Sequence, residues 1–530
     1  MSLQLKTYTT RERNMYLTAM FGQNMMYNTI NMFTNYFAKD VLFIPAMLLG
    51  VIMTIAQIWD AVNDPIMGTI VDRTRTKYGK CRPYLLFAPG AVFIATMLLF
   101  LCRPYDNSAD ASRWHNIMVV AWALVGYVLV DLAYTVGDIP LWGITALITE
   151  DEKHRQKLQA AARIVGSIGG GMAMMLFQPI ALRLGQALGT AEKPSDHLAS
   201  VLTAAMFLSV GFVTFQMAGI FVKEKIVPAN KGKDIAGNFK MLWANEPYRQ
   251  LLISGVLGSP KNLVGLVSVP LVTYYFASKD PGKALFYTAV FGGAMAIGTF
   301  PAQGLSHKLA ARFSKKTLYQ FSNLIEIPTN ILLFALFLAS VNINDGLANA
   351  AMIFPVFLTF VVKGFASGLF GVIQTNMIAD AVDYEDYTNH QRPDGVFFSG
   401  LTFMAKLGNG VSTLIYQSLS ALVGLSGLNI EILQDMINSG GVPRNLMRRG
   451  SQTVVHRALG GMLTGSQLFN FFAMMFFAIT ILPAAANLLA VLPMRKYALT
   501  DDKYAVMLEA LQERRRVEGE LAEDDGGVRV

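Results

Sequence analysis

Apolar segments long enough to cross a lipid bilayer recur along this chain from its start to its last tenth. Only helices and closed barrels satisfy their backbone polar groups inside a bilayer, and about 20 apolar residues form a helix that spans it. The sequence therefore predicts an all-α polytopic membrane protein with twelve transmembrane helices. The predicted spans are residues 15–38, 45–71, 83–102, 115–149, 157–185, 198–222, 248–277, 284–304, 317–340, 350–378, 395–423 and 466–493.

Charge is scarce and unevenly placed. Charged residues make up 15% of the chain, whereas soluble proteins average about 25%. The net charge of +8 is compatible with nucleic-acid binding, but the lysines and arginines concentrate on alternate loops and the two tails. That bias marks cytoplasmic sides of a membrane protein. We therefore predict a multi-pass protein of a bacterial inner membrane, surrounded by lipid, with both termini cytoplasmic and no nucleic-acid partner.

A lysine-rich stretch divides the spans into two groups of six, which is the plan of many secondary transporters. The predicted domains are an N-terminal six-helix bundle (1–222), a cytoplasmic connector (223–247), a C-terminal six-helix bundle (248–493) and a cytoplasmic tail (494–530). The connector at 424–465 is predicted to be a long external loop. The tail from Thr500 predicts an amphipathic helix, either solvated or in contact with anionic lipid.

Two acids interrupt the second span. Asp60 and Asp64 are four residues apart and thus share one helix face, with Asn63 beside them. A carboxylate at bilayer depth costs about 2.5–3.5 kcal/mol, so buried acids usually serve an ion or proton pathway. Their oxygens suit a small cation or a shared proton. The alternative is a pair of acids that only forms salt bridges with neighbouring helices.

Six more charged residues lie within the predicted spans, which gives four acids and four bases in all. Such a balance indicates a paired network around a polar cavity. Trp142 follows Asp138 by one turn, and an aromatic ring beside a carboxylate is a common way to hold a sugar, although such a ring can simply pack. The six are Asp131, Asp138, Arg163, Lys261, Lys363 and Lys406.

Several of these residues stand in motifs that resemble a known family. The run W-D-A-V-N-D-P-I-M-G from Trp59 and the basic loop ending at Arg82-Pro83 are similar to the melibiose permease family. This is the glycoside–pentoside–hexuronide:cation symporter group of the major facilitator superfamily. The resemblance covers about residues 15–420 and includes, in order, T-V-G-D-I-P-L-W from Thr135, Arg163, I-A-D-A-V-D-Y from Ile378, and Lys406.

The resemblance implies a role for each matching residue. The cation site would comprise Asp60, Asn63, Asp64 and Thr135, with the first three as ligands if the ion is Na⁺. Asp138, Trp142 and Arg163 would bind the substrate, and Lys406 would lie close to the cation acids. Asp380 and Asp383 would belong to a cytoplasmic gating loop. Where the melibiose permease has a sugar-binding Lys-Asp pair, this chain has Gln23-Asn24, and we place Asn24 in the substrate site.

We therefore expect a monomeric carrier, not an enzyme, that moves a sugar, glycoside or hexuronide together with Na⁺, Li⁺ or H⁺ and needs no cofactor. Gly371 replaces a tryptophan of the melibiose permease, and Asp131, Lys261 and Lys363 look like additions. The two lysines favour an acidic glycoside over a neutral one. The alternatives are a lysophospholipid carrier, which would favour an apolar cleft, and a non-transporting sensor or scaffold built on a carrier fold.

Overall fold

The structure is a computed structural model that describes residues 7–108, 110–149, 152–190, 194–225, 235–390 and 394–524. Its N-terminal part consists of long helices whose apolar side chains share one core. The first helix continues through two π-helical turns, Thr29–Phe33 and Phe37–Val41, on either side of the short α2. In chain order the helices are α1 Thr10–Asn28, α2 Thr34–Tyr36, α3 Ala46–Arg73, α4 Arg82–Phe100, α5 Arg113–Gly143, α6 Glu152–Leu188 and α7 Asp196–Phe221.

The C-terminal part is also helical, with one small β-hairpin whose two strands pair antiparallel. Short helices precede its first full span, and α8 lies inside the predicted connector, of which 226–234 fall outside the described residues. The elements are α8 Ile235–Ala244, α9 Glu246–Leu257, α10 Leu263–Pro270, α11 Pro281–Ala310, α12 Lys315–Ser340, α13 Ala350–Asn389, α14 Asp394–Leu422, α15 Leu428–Asn438, α16 Pro443–Leu446, β1 Val454–Ala458, β2 Gly461–Thr464, α17 Gly465–Ile479, α18 Ile481–Met494 and α19 Asp501–Asp524.

Among the described residues, eight helices are long and apolar enough to cross a membrane. A ninth is counted if the bent pair Glu246–Leu257 and Ser259–Phe276 forms one span. The stretch Ala46–Asp60 of α3 is a shorter apolar helical segment. The all-α polytopic fold is thus confirmed. The number of twelve spans and the domain limits stay predictions.

The two ends of the helix bundle differ. At one end, which we call the hairpin end, the β-hairpin and α15 lie over the loops of both halves, as in the hydrogen bond from Asn107 to Glu431 (2.9 Å). At the other, which we call the tail end, α19 packs against α13, and the Tyr504 hydroxyl donates to Asp383 (2.8 Å). The predicted tail helix is confirmed. Its apolar residues Met507 and Leu511 are buried in the protein core rather than presented to lipid.

The connector at 424–465 was expected to be a loop, and this was wrong. It folds as α15, α16 and the hairpin, and Arg444 anchors it. The Arg444 guanidinium donates to Asp345 Oδ1 (2.8 and 3.1 Å) and to the carbonyls of Tyr275 (3.0 Å) and Phe276 (3.1 Å). These hydrogen bonds hold the pKa of Asp345 below its usual range. An arginine at this end therefore serves to fix the connector.

The prediction of a gating loop after the tenth span was also wrong, because this segment is helical. Asp380 and Asp383 lie within α13, which runs on to Asn389 and ends where His390 adopts the left-handed conformation (φ 54°). The extension holds because its acids have partners, since the Lys315 ammonium forms an ion pair with Asp380 and Asp383 accepts from Tyr504. Helix α13, which contains the predicted tenth span, is thus one continuous helix that reaches α19.

Candidate functional site

Four predicted residues meet halfway along three helices. The Lys406 ammonium on α14 donates to Asp60 Oδ1 (2.9 Å) and to Asp64 Oδ2, both on α3. Thr135 Oγ1, on α5, lies 3.4 Å from Asp60 Oδ1 and 3.2 Å from Asp64 Oδ1. Two carboxylates and one ammonium sum to a charge of −1 when all are ionised. The cluster can therefore take one monovalent cation and become neutral.

Asn63, the other residue predicted for the cation site, precedes Asp64 on α3. Its side chain is 4% exposed, and its amide nitrogen has no hydrogen-bond partner among the described residues. A buried amide without partners usually contacts water or a ligand, so the polar groups here are not saturated by the protein alone. No group of three or more His, Cys, Asp or Glu side chains is placed to hold a metal ion in the described part of the chain. The oxygens that the structure brings together are those of two acids and the Thr135 hydroxyl, and the role of Asn63 stays a prediction.

Asp138 lies near this cluster, three residues after Thr135 on α5. The Gln23 side-chain amide donates to Asp138 Oδ1 at 2.7 Å and also contacts the Tyr134 hydroxyl. Asn24 donates to Gln23 Oε1 (2.6 Å) and so reaches Asp138 only through Gln23. The residue of span one that contacts Asp138 is thus Gln23, and the predicted role of Asn24 in substrate binding stays a prediction.

Close helix packing positions Gln23. A Cβ atom on Gly169 of α6 would lie 2.2 Å from the Phe21 carbonyl oxygen, and one on Gly166 would lie 2.5 Å from Asn24 Nδ2. Glycines at these two places therefore allow α1 to lie directly against α6. This close packing sets the position of α1 along its axis relative to α6, and the Gln23 side chain then lies beside Asp138.

The structure does not join Arg163 to Asp138. The Arg163 side chain on α6 is exposed, and its carbonyl accepts from Ser167. Among the described residues, no hydrogen bond or ion pair connects its guanidinium to the site. Trp142 is partly buried and packs against the apolar core. The roles of both in substrate binding stay predictions.

Sequence reasoning missed an aromatic pair beside Asp138. The Tyr27 ring lies 5.3 Å from the Tyr134 ring, at an angle of 38°, and Tyr27 is 39% exposed. The Tyr134 hydroxyl lies 3.4 Å from Asp138 Oδ1. The available signal was spacing, since Tyr27 follows Gln23 by four residues and shares its helix face.

Sequence reasoning also missed the residues that close the hairpin end. Lys39 and Asp40, at the end of the first span, are 1% and 2% exposed. The Lys39 ammonium donates to the Tyr416 hydroxyl (3.1 Å) and Ser420 Oγ (2.9 Å) on α14. Asp40 Oδ1 accepts from the Tyr274 hydroxyl (3.1 Å). Both charged groups are therefore shared between the two halves.

Helix α15 covers these contacts. Gln434 donates to the Tyr274 hydroxyl at 2.9 Å, and Glu431 accepts from Asn107 of the other half. Among the described residues, every hydrogen bond between the halves lies between the Lys406–Asp64 pair and the hairpin end. The two halves are thus held together from the middle of the bundle to that end.

The added lysine of span ten has a structural partner. Lys363 is 5% exposed, and its ammonium donates to the Ile479 carbonyl at 3.0 Å. Pro483 has no N–H and so leaves this carbonyl without its usual helical partner, and α17 ends there. An ammonium at a helix C-terminus also meets the negative end of the helix dipole. Lys363 thus caps a break in the last span, which argues against the predicted contact with an acidic substrate.

Lys261 has a different environment. Its ammonium lies 3.3 Å from the centre of the Phe370 ring. On the neighbouring α12, Glu326 accepts from Asn487 at 2.8 Å. Glu326 falls inside the predicted span 317–340, so the count of four acids and four bases was wrong: this span adds a fifth acid, and three more bases, Lys157, Arg183 and Arg249, also fall inside predicted spans. The buried charges of the C-terminal half therefore include a partner that the sequence count left out.

Comparison with known proteins gives a consistent set of matches. The family model described as MFS/sugar transport protein matches residues 15–501. The isoprimeverose transporter of Lactiplantibacillus pentosus is 26% identical over 405 residues, which cover 76% of this chain and 78% of that protein. The inner membrane symporter YicJ of Escherichia coli (strain K12) is 25% identical over 390 residues, 73% of this chain and 77% of that protein.

Solved structures support the fold. A bacterial homologue of the human lysosomal transporter Spinster, in an inward-facing and unoccupied conformation, superposes with a TM-score of 0.63 at 13% identity. The superposition covers 92% of this chain and 98% of that chain. Because the family model spans nearly the whole chain, and the helical fold agrees with it, this chain belongs to the MFS/sugar transport protein family.

Proposed function

We propose that this protein is a symporter that moves a sugar or glycoside across the membrane together with one monovalent cation. The observation that carries the proposal is the cluster of Asp60, Asp64, Thr135 and Lys406. It holds a charge of −1 at mid-depth in a bundle where isolated charges are costly. A bound Na⁺, Li⁺ or H⁺ removes this charge. The protein with a loaded cluster therefore changes between its outward-facing and inward-facing states at a lower energetic cost.

The substrate binds beside the cation. Asp138 and Gln23 offer an acceptor and an amide at hydrogen-bonding distance from each other, and such groups pair with sugar hydroxyls. Thr135 and Asp138 are neighbours on one helix of the site, so a shift at the cation cluster moves the substrate groups too. A polar site of this kind favours a polar solute over the acyl chain of a lysophospholipid.

Lys406 acts as the internal competitor of the cation. Its ammonium occupies the space between the two acids when no cation is bound, and it shifts aside, within the cluster, when one enters. The Lys39 and Asp40 contacts close the hairpin end in this state. With both termini cytoplasmic, as the charge bias favours, this is the state in which the site faces inward.

The energetics are sufficient for accumulation. A membrane potential of about 100 mV supplies about 2.3 kcal/mol for each charge that is moved. One cation moved inward with a neutral sugar would therefore sustain an accumulation of about fiftyfold before any cation gradient is added.

Counterflow in proteoliposomes tests the proposal. The vesicles are loaded with one unlabelled sugar at a time, and entry of the labelled sugar is followed with and without Na⁺. The panel comprises isoprimeverose, raffinose and a phenyl glucuronide. Cation-stimulated counterflow of at least one sugar is expected. Transport of lysophospholipid without sugar counterflow would overturn the proposal, as would complete inactivity of folded protein towards an extended panel of glycosides.

A further inference from the structure

Tyr27 lies beside the polar site, and the proposed function above assigns it no role. It is 39% exposed although it lies in the first span at the level of the buried Gln23. Its hydroxyl has no hydrogen-bond partner among the described residues. Tyr27 shares the helix face of Gln23, and Gln23 contacts Tyr134 and Asp138 of α5. Gly166 and Gly169 of α6 pack closely against other residues of α1, and the accessible surface of Tyr27 lies beside the polar groups of the site.

The orientation of the Tyr27 ring is fixed. The ring rests against Tyr134 at 5.3 Å, and Tyr134 is held by Gln23 and Asp138 through its hydroxyl. Two tilted rings in contact stabilise each other beyond the area that they bury. The Tyr27 ring is thus supported by Tyr134, and 39% of the residue's surface stays accessible.

We propose that the open surface of Tyr27, supported by Tyr134, is the platform on which a pyranose ring of the substrate stacks. The proposal rests on the function proposed above and names the substrate feature that this site selects. It places the sugar between the cation acids and Asp138. Tyr27 is then a specificity-determining residue.

The chemistry of an aromatic face supports this assignment. The face of the ring carries a negative quadrupole and attracts groups with positive polarisation. The axial C–H groups of a pyranose in the chair form are such groups, whereas its equatorial hydroxyls point outward around the rim. A pyranose stacked on Tyr27 would therefore direct hydroxyls towards Asp138 and Gln23. An acyclic polyol has no comparable C–H face, so the platform distinguishes ring sugars from open-chain ones.

The alternative use of Tyr27 is through its hydroxyl, as a hydrogen-bond donor to one of the surrounding acids. The two uses predict different effects for three substitutions of Tyr27. Tyr27→Phe keeps the face and removes the hydroxyl. Tyr27→Leu keeps apolar volume and removes the face, and Tyr27→Ala removes both. Phe87 of α4 is 77% exposed, and Phe87→Ala is the matched control that removes an aromatic ring far from the charged groups.

The experiment measures sugar affinity and Na⁺ affinity of the purified full-length protein by calorimetry. The probe is whichever of isoprimeverose, raffinose and phenyl glucuronide the wild type binds most tightly. We expect Tyr27→Ala and Tyr27→Leu to weaken sugar binding about tenfold or more. Tyr27→Phe and Phe87→Ala should stay within about threefold of the wild type. Na⁺ affinity and the thermal unfolding midpoint should be unchanged in all four, which separates a substrate contact from a structural role.

Three outcomes would overturn the inference. Equal loss in Tyr27→Phe and Tyr27→Ala would assign the role to the hydroxyl. Unchanged sugar affinity in Tyr27→Ala would remove the residue from the site, and a parallel loss of Na⁺ affinity or stability would make its role structural. Failure of the proposed function looks different, because the wild type itself would then bind none of the sugars in a cation-dependent manner.

Discussion

Replacing Lys406 by methionine tests how the cation site works. The ammonium of Lys406 lies 2.9 Å from Asp60 Oδ1 and also bonds Asp64. Methionine retains the length and most of the volume of lysine but carries no charge. The variant leaves two carboxylates without their cationic partner, so the charge of the cluster changes from −1 to −2. We expect tighter binding of the coupling cation together with loss of coupled sugar accumulation.

The size of the effect follows from the geometry. Two unit charges about 4 Å apart interact by about 4 kcal/mol at an effective dielectric constant of about 20. In the wild type an entering cation meets a repulsion of this order from the ammonium. Relaxation of the acids and uptake of a proton offset part of the gain. A tenfold change in affinity needs only about 1.4 kcal/mol, so a gain of at least about tenfold should remain.

The assay is Na⁺ titration of the purified protein by calorimetry at a pH above neutral, where competition by protons is weak. Lys261→Met is the matched control, because Lys261 is a lysine of the same half that lies against Phe370 and not against the two acids. Its Na⁺ affinity should equal that of the wild type. An unchanged or weaker affinity in Lys406→Met, in protein with a normal unfolding midpoint, would refute the role of internal competitor.

Three further predictions follow from particular contacts. Asp138→Asn should weaken sugar binding about tenfold or more and leave Na⁺ affinity unchanged, and calorimetry that shows equal sugar affinity would move the substrate elsewhere. Lys363→Met should destabilise the protein by about 1–3 kcal/mol because the Ile479 carbonyl loses its donor. Adding Pro483→Ala to this variant should recover part of the lost stability in thermal unfolding, and no recovery would contradict the capping role of Lys363. Cysteines at Asn107 and Glu431, in a chain without its two native cysteines, should stop transport when joined by a short thiol crosslinker, whereas continued transport would show that the hairpin end need not open.

The cation cluster could be predicted because its geometry is local. The i, i+4 spacing of Asp60 and Asp64 places them on one face of any helix, and the cost of burying both requires a partner. The positions of Thr135 and Lys406 came from resemblance to a family, since no local rule brings residue 406 to residue 60. The structure places both against the acids.

The contacts of Asp138 could not be predicted in the same way. Resemblance assigned Asn24 and Arg163 to the substrate site but named no contact for Asp138; in the structure Gln23 makes that contact and the Arg163 side chain is exposed. Which of two adjacent residues on α1 faces α5 depends on helix rotation, and that rotation is set by close packing at Gly169. The spacing of Gly166 and Gly170 does indicate a close approach of a neighbouring helix, but it does not show which helix approaches or how that helix is rotated.

The hairpin end escaped sequence reasoning for a related reason. Lys39 and Asp40 stand at a span boundary, where charged side chains are commonly solvated. They are buried here because α14 and α15 cover them, and α15 was not expected. Hydropathy identifies segments that suit the bilayer, but it does not show which polar segments fold over the ends of the spans.

Sugar accumulation driven by a cation gradient tests the central claim most directly. The sugar found by counterflow is supplied outside proteoliposomes that carry an inward Na⁺ or H⁺ gradient, for the wild type and for Asp64→Asn. The wild type should concentrate the sugar severalfold above its external level with at least one cation, and an ionophore should abolish this. Asp64→Asn should only equilibrate the sugar. Accumulation that persists without any cation gradient, or full accumulation by folded Asp64→Asn, would contradict cation-coupled symport through this site.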